Sequence, residues 1–245
     1  MLLHLDKITK SFNSENYRNQ RQVLKGVSLD IAAGESIAIL GPSGSGKTTL
    51  LNIAGSLDQP DEGRVFFNDL EISSFSEKNR DEYRNNEIGF VFQLHHLLPQ
   101  CTLLENLLIP TINLKDKSER INRLERAISL MKRVGVYEFR DQKPGQLSGG
   151  ECQRTAVIRA IINSPSILLA DEPTGALDSE NADKLADLLI ELNKTENIAL
   201  IVVTHSKTLA SKMESVYELN HGVLMKYLPD PPPGPIAVNL IFVSL

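Results

Sequence analysis

The chain has 245 residues, 41% hydrophobic and 23% charged, and carries a formal net charge of -5. This is an ordinary globular composition, long enough to bury a substantial core, and its charge offers no whole-molecule attraction to nucleic acid or anionic lipid, so nucleic acid is not an expected partner. The two cysteines, Cys101 and Cys152, stand in neither chelating nor redox spacing, which fits a reducing compartment; MLLHLDKITKSF is charged by its sixth residue and does not read as a secretory signal, and no window approaches the roughly 20 apolar residues that span a bilayer.

In chain order, Leu2 to Ile8 and Val23 to Ile31 are β-rich and flank the polar NSENYRNQRQ, predicting an edge hairpin or meander. ESIAIL, Glu35 to Leu40, is a short buried strand; a glycine-rich turn and the apolar helix TTLLNIAGSL follow at once. Strand then crossover helix predicts an α/β core, and Gly63 to Phe67 offers a further strand. GFVFQLHHLLPQ, residues 89 to 100, is a β-prone run interrupted by Gln93, His95 and His96 and stopped by Pro99. Alone it reads as a strand entering a polar loop, with a metal site or a ligand-sensing hinge as alternatives. Thr102 and Glu105 form a capping box before an apolar helical run. Ser118 to Val134 places Ile121, Leu124, Ile128 and Met131 on one helical face, with Gly135 to end it. Residues 94 to 163 therefore read as a mostly helical sub-lobe inserted between strands. The β/α alternation resumes with the strand Ile167 to Ala170, the helix Asn181 to Leu192 and the buried strand Ile198 to Val203. At the end, in LPDPPPGPIAVNLIFVSL, Pro231, Pro232 and Pro233 continue neither helix nor sheet, and the final apolar stretch is too short to span. It reads as a loosely packed or disordered tail, or as a partner-binding strand.

The chemistry-bearing motifs start with GPSGSGKT, Gly41 to Thr48, which satisfies G-x-x-x-x-G-K-[ST] between a predicted strand and a predicted helix. Its glycines let the backbone from Gly41 through Pro42, Ser43, Gly44, Ser45 and Gly46 curl, so that N–H groups and the helix N-terminus face phosphate oxygens. Lys47 is placed for the β and γ phosphates and Thr48 for Mg²⁺, with Thr49 next on the same turn. The chain is expected to bind a nucleoside triphosphate. In ILLADE, Asp171 at the exposed strand end can hold Mg²⁺ through water, and Glu172 can polarise an attacking water; a solvated turn is the alternative. In QLSGGECQR, the Ser148 hydroxyl, the N–H groups of Gly149 and Gly150 and the positive helix end make a second anion site. One molecule cannot bring both sites to one nucleotide, so the second serves a partner chain.

LSGGE with GPSGSGKT and LLADE resembles the ATP-binding cassette (ABC) ATPases, over residues 4 to 226. The resemblance implies ATP and Mg²⁺ as ligands and two cassettes paired head to tail. It implies a P-loop NTPase core of the RecA-like kind, with an N-terminal antiparallel β-subdomain and an inserted α-helical subdomain at about 94 to 163; the cassette is then 1 to 227 and the tail 228 to 245. Asp178 in GALD resembles the D-loop aspartate of the dimer seam, His205 in VVTHS the switch histidine at the γ-phosphate, and Phe12 in KSF the aromatic that stacks on adenine. Taken singly, His205 could be structural and Phe12 could be core. Gln93 falls at the family's Q-loop glutamine, which links Mg²⁺ and the attacking water to the hinge of the helical lobe. A metal site at His95 and His96 is disfavoured, because adjacent residues in extended chain point oppositely and no third ligand is near. With Leu97 and Leu98 they are expected on the outer side of the hinge, where family cassettes form a groove for a short helix of a membrane subunit.

Within the family, FVFQLHHLLPQCTLLENLLIP and LADEPTGALDSENADKLADLLIELN resemble the LolD, MacB and FtsE group. That implies an ATP-hydrolysing homodimer, peripheral to the cytoplasmic face of the inner membrane, driving LolC- and LolE-like membrane subunits in lipoprotein release. MacB-like efflux, another small permease or FtsE-like division control are the alternatives. A soluble relative acting on DNA or ribosomes fits less well, since the stretch between Gln93 and Leu147 has no room for a long coiled coil. Two features depart from the group: Cys152 stands where a charged or amide residue is usual, and the proline-rich tail has no counterpart.

Overall fold

The computed structural model describes residues 1–13 and 20–227; the expected tail at 228–245 lies outside the described residues. β1 (Leu3–Asn13) and β2 (Gln20–Ile31) pair antiparallel, with Leu3 opposite Ile31 and Phe12 opposite Arg21. The strand runs past the expected end at Ile8 because Lys7, with φ 51°, bulges and resets the register. β3 (Ser36–Leu40) feeds α1 (Lys47–Ala54) through the glycine-rich turn. β4 (Glu62–Phe67) and β5 (Leu70–Glu71) complete a four-stranded antiparallel sheet in the order β2-β1-β4-β5. α2 (Glu77–Glu87) precedes β6 (Ile88–Val91). Tyr83 is its one buried side chain, so apolar periodicity gives no sign of this helix.

The inserted lobe holds α3 (Leu103–Leu108), α4 (Lys117–Arg133) and α5 (Gly149–Ala160). β7 (Ile167–Asp171), α6 (Ser179–Glu196), β8 (Ala199–Thr204), α7 (Lys207–Ala210), β9 (Ser215–Asn220) and β10 (Val223–Lys226) follow. The second sheet has six strands in the order β10-β9-β3-β8-β7-β6, parallel except for the β10 edge. Every residue of β3 and β8 is buried, as continuous apolar runs in parallel sheets require.

Alternation along these strands separates two cores. Ile37, Ile39, Ile167, Leu169, Ile201 and Val203 pack with α1 and the antiparallel sheet. Ala38, Leu40, Leu168, Ala170, Leu200 and Val202 pack with α5, α6 and the helical lobe. On α4 the expected face is only half right. Ala127, Leu130 and Met131 are buried, whereas Ile121 and Leu124 are exposed, because the buried side chains of α4 all lie in its C-terminal half. Arg126 and Arg133 then tie α4 to Glu196 on α6 at 2.8 and 3.0 Å.

The loop entering the lobe is organised by Asn106, which is fully buried. Its Oδ1 accepts from the Leu98 N–H at 2.7 Å, and its Nδ2 donates to the carbonyls of Leu98, Cys101 and Thr102 at 3.1, 3.3 and 2.9 Å. Removing one member of a buried network leaves its partners desolvated and unpaired. Asn106→Ala is therefore expected to lower unfolding free energy by about 2 to 4 kcal/mol, read as a lower urea midpoint at unchanged slope. A midpoint equal to wild type would show that solvent reaches this loop.

Candidate active site

The C-terminal ends of the parallel strands converge, with Leu40 opposite Thr204 and Asp171 opposite Val203. Between Leu40 and α1 the chain turns through Gly44 and Gly46 at φ 75° and 107°. A Cβ at Gly46 would meet Val23 Cγ1 at 2.8 Å, so both backbone angle and space demand glycine there. α1 starts with no side-chain cap and no acidic residue in its first turn, leaving its N–H groups for an external anion. Lys47 is buried beside them; its Nζ donates to the carbonyls of Gly41 and Pro42 at 2.7 and 3.1 Å and lies 3.9 Å from Glu172 Oε1. Ser45 Oγ is buried without a hydrogen-bond partner among the described residues.

An orphaned hydroxyl, an uncapped helix end and a buried ammonium together fit a polyphosphate. Thr48, on the first turn of α1, and Asp171, at the end of β7, offer an all-oxygen pair of the kind Mg²⁺ takes. Partial burial pushes the Asp171 carboxyl above its ordinary range; the nearby Thr48 hydroxyl opposes this, the Glu172 charge reinforces it and the Lys47 charge opposes it. Such a half-buried carboxyl, next to a hydroxyl, is suited to a cation.

Glu172 adopts a left-handed φ of 45° and gives its N–H to the Val203 carbonyl at 2.9 Å. Its Oε2 accepts from Thr204 Oγ1 at 3.0 Å and from the His205 N–H at 3.2 Å, and lies 3.0 Å from His205 Nδ1. β7 and β8 thus present Glu172, Thr204 and His205 as one cluster facing Lys47. Gln93, two residues past β6, is exposed. Its Nε2 lies 2.9 Å from where a Cβ on Gly175 would stand. Glycine at 175 therefore lets Gln93 rest on the turn after Glu172, a requirement that no motif spacing announced.

Phe12 is 45% exposed, so it is not core. Opposite it, Arg21 donates from Nη2 to the Gly44 carbonyl at 3.2 Å and helps line a cleft of about 300 Å³ with Val23, Lys25, Ser43 and Ser45. Sequence reasoning did not single out Arg21, since pairing across β1 and β2 is what brings it to the loop. A larger hollow of about 520 Å³, around His4, Asp30 and Phe66, lies on the antiparallel sheet and contains none of the motif residues.

Ser148 caps α5: its Oγ accepts from the Glu151 N–H at 3.3 Å and donates to Glu151 Oε2 at 2.7 Å. That hydroxyl proton is engaged within the chain, and the bond holds the Glu151 carboxyl below its usual range. Gly149 is exposed and Gly150 buried. Asp178 caps α6 through the Asn181 N–H at 2.9 Å. Among the described residues, no hydrogen bond joins Ser148, Gly149, Gly150 or Asp178 to the phosphate loop of the same chain. Cys152 is buried, and burial followed by the Glu151 charge pushes its thiol up, so it behaves as a small unreactive hydrophobe.

The segment after Gln93 corrects one expectation. His96 sits at φ 46°, and this turn sends Leu97 inward, where it is 6% exposed in the helical-lobe core. Leu94 and Leu98, at 63% and 41%, are the exposed leucines. His95 Nδ1 accepts from the Leu97 N–H at 3.1 Å, and Arg159 binds the carbonyls of His95 and His96 at 2.9 and 2.8 Å. Burial, then the Arg159 and His96 charges, lower the His95 pKa. No group of three metal-ligating side chains occurs among the described residues, and no helix there is long and apolar enough to cross a membrane.

A family profile described as ABC transporter matches residues 24–175. The lipoprotein-releasing system ATP-binding protein LolD of Saccharophagus degradans is 47% identical over 205 residues, covering 84% of this chain and 89% of that protein. LolD of Syntrophus aciditrophicus is 46% identical over 224 residues, covering 91% and 99%. Among solved structures, the dimeric post-hydrolysis ATP-binding cassette MJ0796, bound to ADP and phosphate, matches with a TM-score of 0.81 and 38% identity over 92% of this chain and 98% of that one. With a phosphate loop, an acidic strand end and a signature helix set on this α/β frame, the chain belongs to the ABC transporter family, as one of its ATP-binding cassettes.

Proposed function

We propose that this chain is the ATP-hydrolysing subunit of a lipoprotein-releasing transporter, working as a homodimer on the cytoplasmic face of the inner membrane beneath LolC- and LolE-like subunits. The observation that carries the reading is Glu172, oriented by Thr204 and His205 and set 3.9 Å from the phosphate-loop lysine. The cargo follows from the LolD name of relatives that match along most of their length.

In this reading Lys47 and backbone N–H groups of the loop from Gly41 to Thr49 bind the phosphates, with Pro42 lacking an N–H and Ser45 giving its own to the Pro42 carbonyl at 3.2 Å in the free chain, and Phe12 stacks on adenine. Thr48 and Asp171, with Gln93, would hold Mg²⁺, which would supply charge neutralisation on the transferring phosphoryl group. Gln93 orients the attacking water, and Glu172 takes its proton at a carboxylate oxygen. His205 steadies the other oxygen of Glu172 and faces the γ-phosphate side. Ser148, Gly149, Gly150 and Asp178 complete the opposite chain's site, where an arriving phosphate competes with Glu151 for the Ser148 hydroxyl.

Membrane-subunit contact is proposed at His95, His96, Leu94 and Leu98, with Leu97 assigned to the core. Replacing Leu94 and Leu98 together by Ser should leave ATP affinity of the isolated cassette unchanged while weakening co-purification with the LolC- and LolE-like subunits. Each leucine, if fully covered, contributes about 1.5 to 3 kcal/mol of apolar burial. The whole assignment is tested by reconstituting cassette and membrane subunits in liposomes and assaying ATP-dependent release of a lipoprotein to an acceptor. Hydrolysis without release would reassign the cargo; normal assembly of the double variant would move the contact elsewhere.

A further inference from the structure

Gln153, on the first turns of α5, is 2% exposed. Its Nε2 donates to the Phe92 carbonyl at 2.7 Å and to the Pro173 carbonyl at 3.0 Å. These carbonyls stand immediately before Gln93 and immediately after Glu172. Neither belongs to a strand: β6 ends at Val91 and β7 at Asp171. Among the described residues, no other side chain donates to either oxygen. A buried amide with both hydrogens used this way fixes two separate loops to one rigid helix, and the N-terminus of that helix is the signature sequence.

We propose that Gln153 is a positioning residue for hydrolysis, holding the hinge at Gln93 and the turn after Glu172 in fixed relation to the signature helix. The proposal rests on the roles given above to Gln93 and Glu172. A displacement of α5, such as the opposite chain's nucleotide would cause at Ser148, reaches Gln93 and Glu172 together through one side chain. Without the amide, the buried Pro173 carbonyl and the part-buried Phe92 carbonyl lose their donor and the loops relax independently. The catalytic groups are then present but misplaced, and misplacement by about an ångström costs up to roughly 100-fold in rate.

The test uses the full-length cassette with ATP and Mg²⁺. Gln153→Met keeps length and volume but removes both donors. Expected are a fall in kcat of about 10- to 100-fold, a KM for ATP within about threefold of wild type, and a combined loss well short of multiplicative when Gln93→Ala is added, since Gln153→Met already displaces the side chain that the second change removes. Gln153→Glu supplies a second signature. Its carboxylate cannot donate, but once protonated it can donate one hydrogen bond, so its activity relative to wild type should rise as pH falls. Normal turnover by Gln153→Met, multiplicative losses with Gln93→Ala, or a parallel collapse of kcat, ATP affinity and melting temperature would overturn the proposal. Should Gln153→Met fail to fold, Gln153→Asn, which keeps the amide one methylene short, is read by the same kcat and KM criteria. Glu172→Gln in an otherwise wild-type chain separates the two levels: if that variant hydrolyses ATP normally, the underlying reading fails whatever Gln153 does.

Discussion

Glu172→Gln is expected to slow ATP turnover by roughly 10² to 10⁴-fold while leaving nucleotide binding intact. The amide has the shape of the carboxylate, and its oxygen can still accept from Thr204 Oγ1 and the His205 N–H, which lie 3.0 and 3.2 Å from Glu172 Oε2. What disappears is basicity at the side chain that lies beside both Lys47 and the end of β8. Loss of the charge also leaves Lys47 without an anionic neighbour 3.9 Å away, which favours the incoming phosphates. The variant should therefore accumulate as an ATP-bound dimer, doubling the scattering mass when ATP and Mg²⁺ are added. Steady-state phosphate release and light scattering measure the two halves of the expectation. Turnover within threefold of wild type would remove Glu172 from the proton-accepting role.

Lys47→Ala should lower ATP affinity by 10²-fold or more, because a charge-assisted hydrogen bond is worth about 1.5 to 3 kcal/mol and the ammonium can give more than one to the phosphates. The loss in folding stability should be far smaller. In the free chain Lys47 donates only to the nearby carbonyls of Gly41 and Pro42, at 2.7 and 3.1 Å. Titration with a fluorescent ATP analogue beside a thermal melt separates the two effects. Retained affinity with a large drop in melting temperature would make Lys47 a scaffold residue rather than a phosphate ligand.

Much of this is legible in the sequence, for identifiable reasons. Buried parallel strands are continuous apolar runs, so ESIAIL, ILLAD and IALIVV stand out, and glycines in the loop before α1 are dictated by positive φ and close backbone approach. α2 was invisible because its stability comes from one buried tyrosine and a Ser76 cap rather than an apolar stripe. Leu97 was misplaced for a local reason: a single left-handed residue, His96, reverses the facing that alternation would give. Ile121 and Leu124 were misassigned because periodicity reports a face, not whether anything covers it. Gly175, Arg21 and Gln153 act through contacts with residues distant in sequence, at Gln93, Gly44 and Phe92, which only the folded chain brings together.

The partition of the central strands has a mechanical consequence. Val202 and Val203 are neighbours in β8, yet one belongs to the core under α5 and α6 and the other to the core under α1. The sheet is thus a party wall between two rooms, each furnished by its own side chains. Slack introduced in one room stops at the backbone. The side chains of the helical lobe and those behind the phosphate loop and α1 therefore pack as two separate sets, so a substitution that loosens one leaves the packing of the other intact.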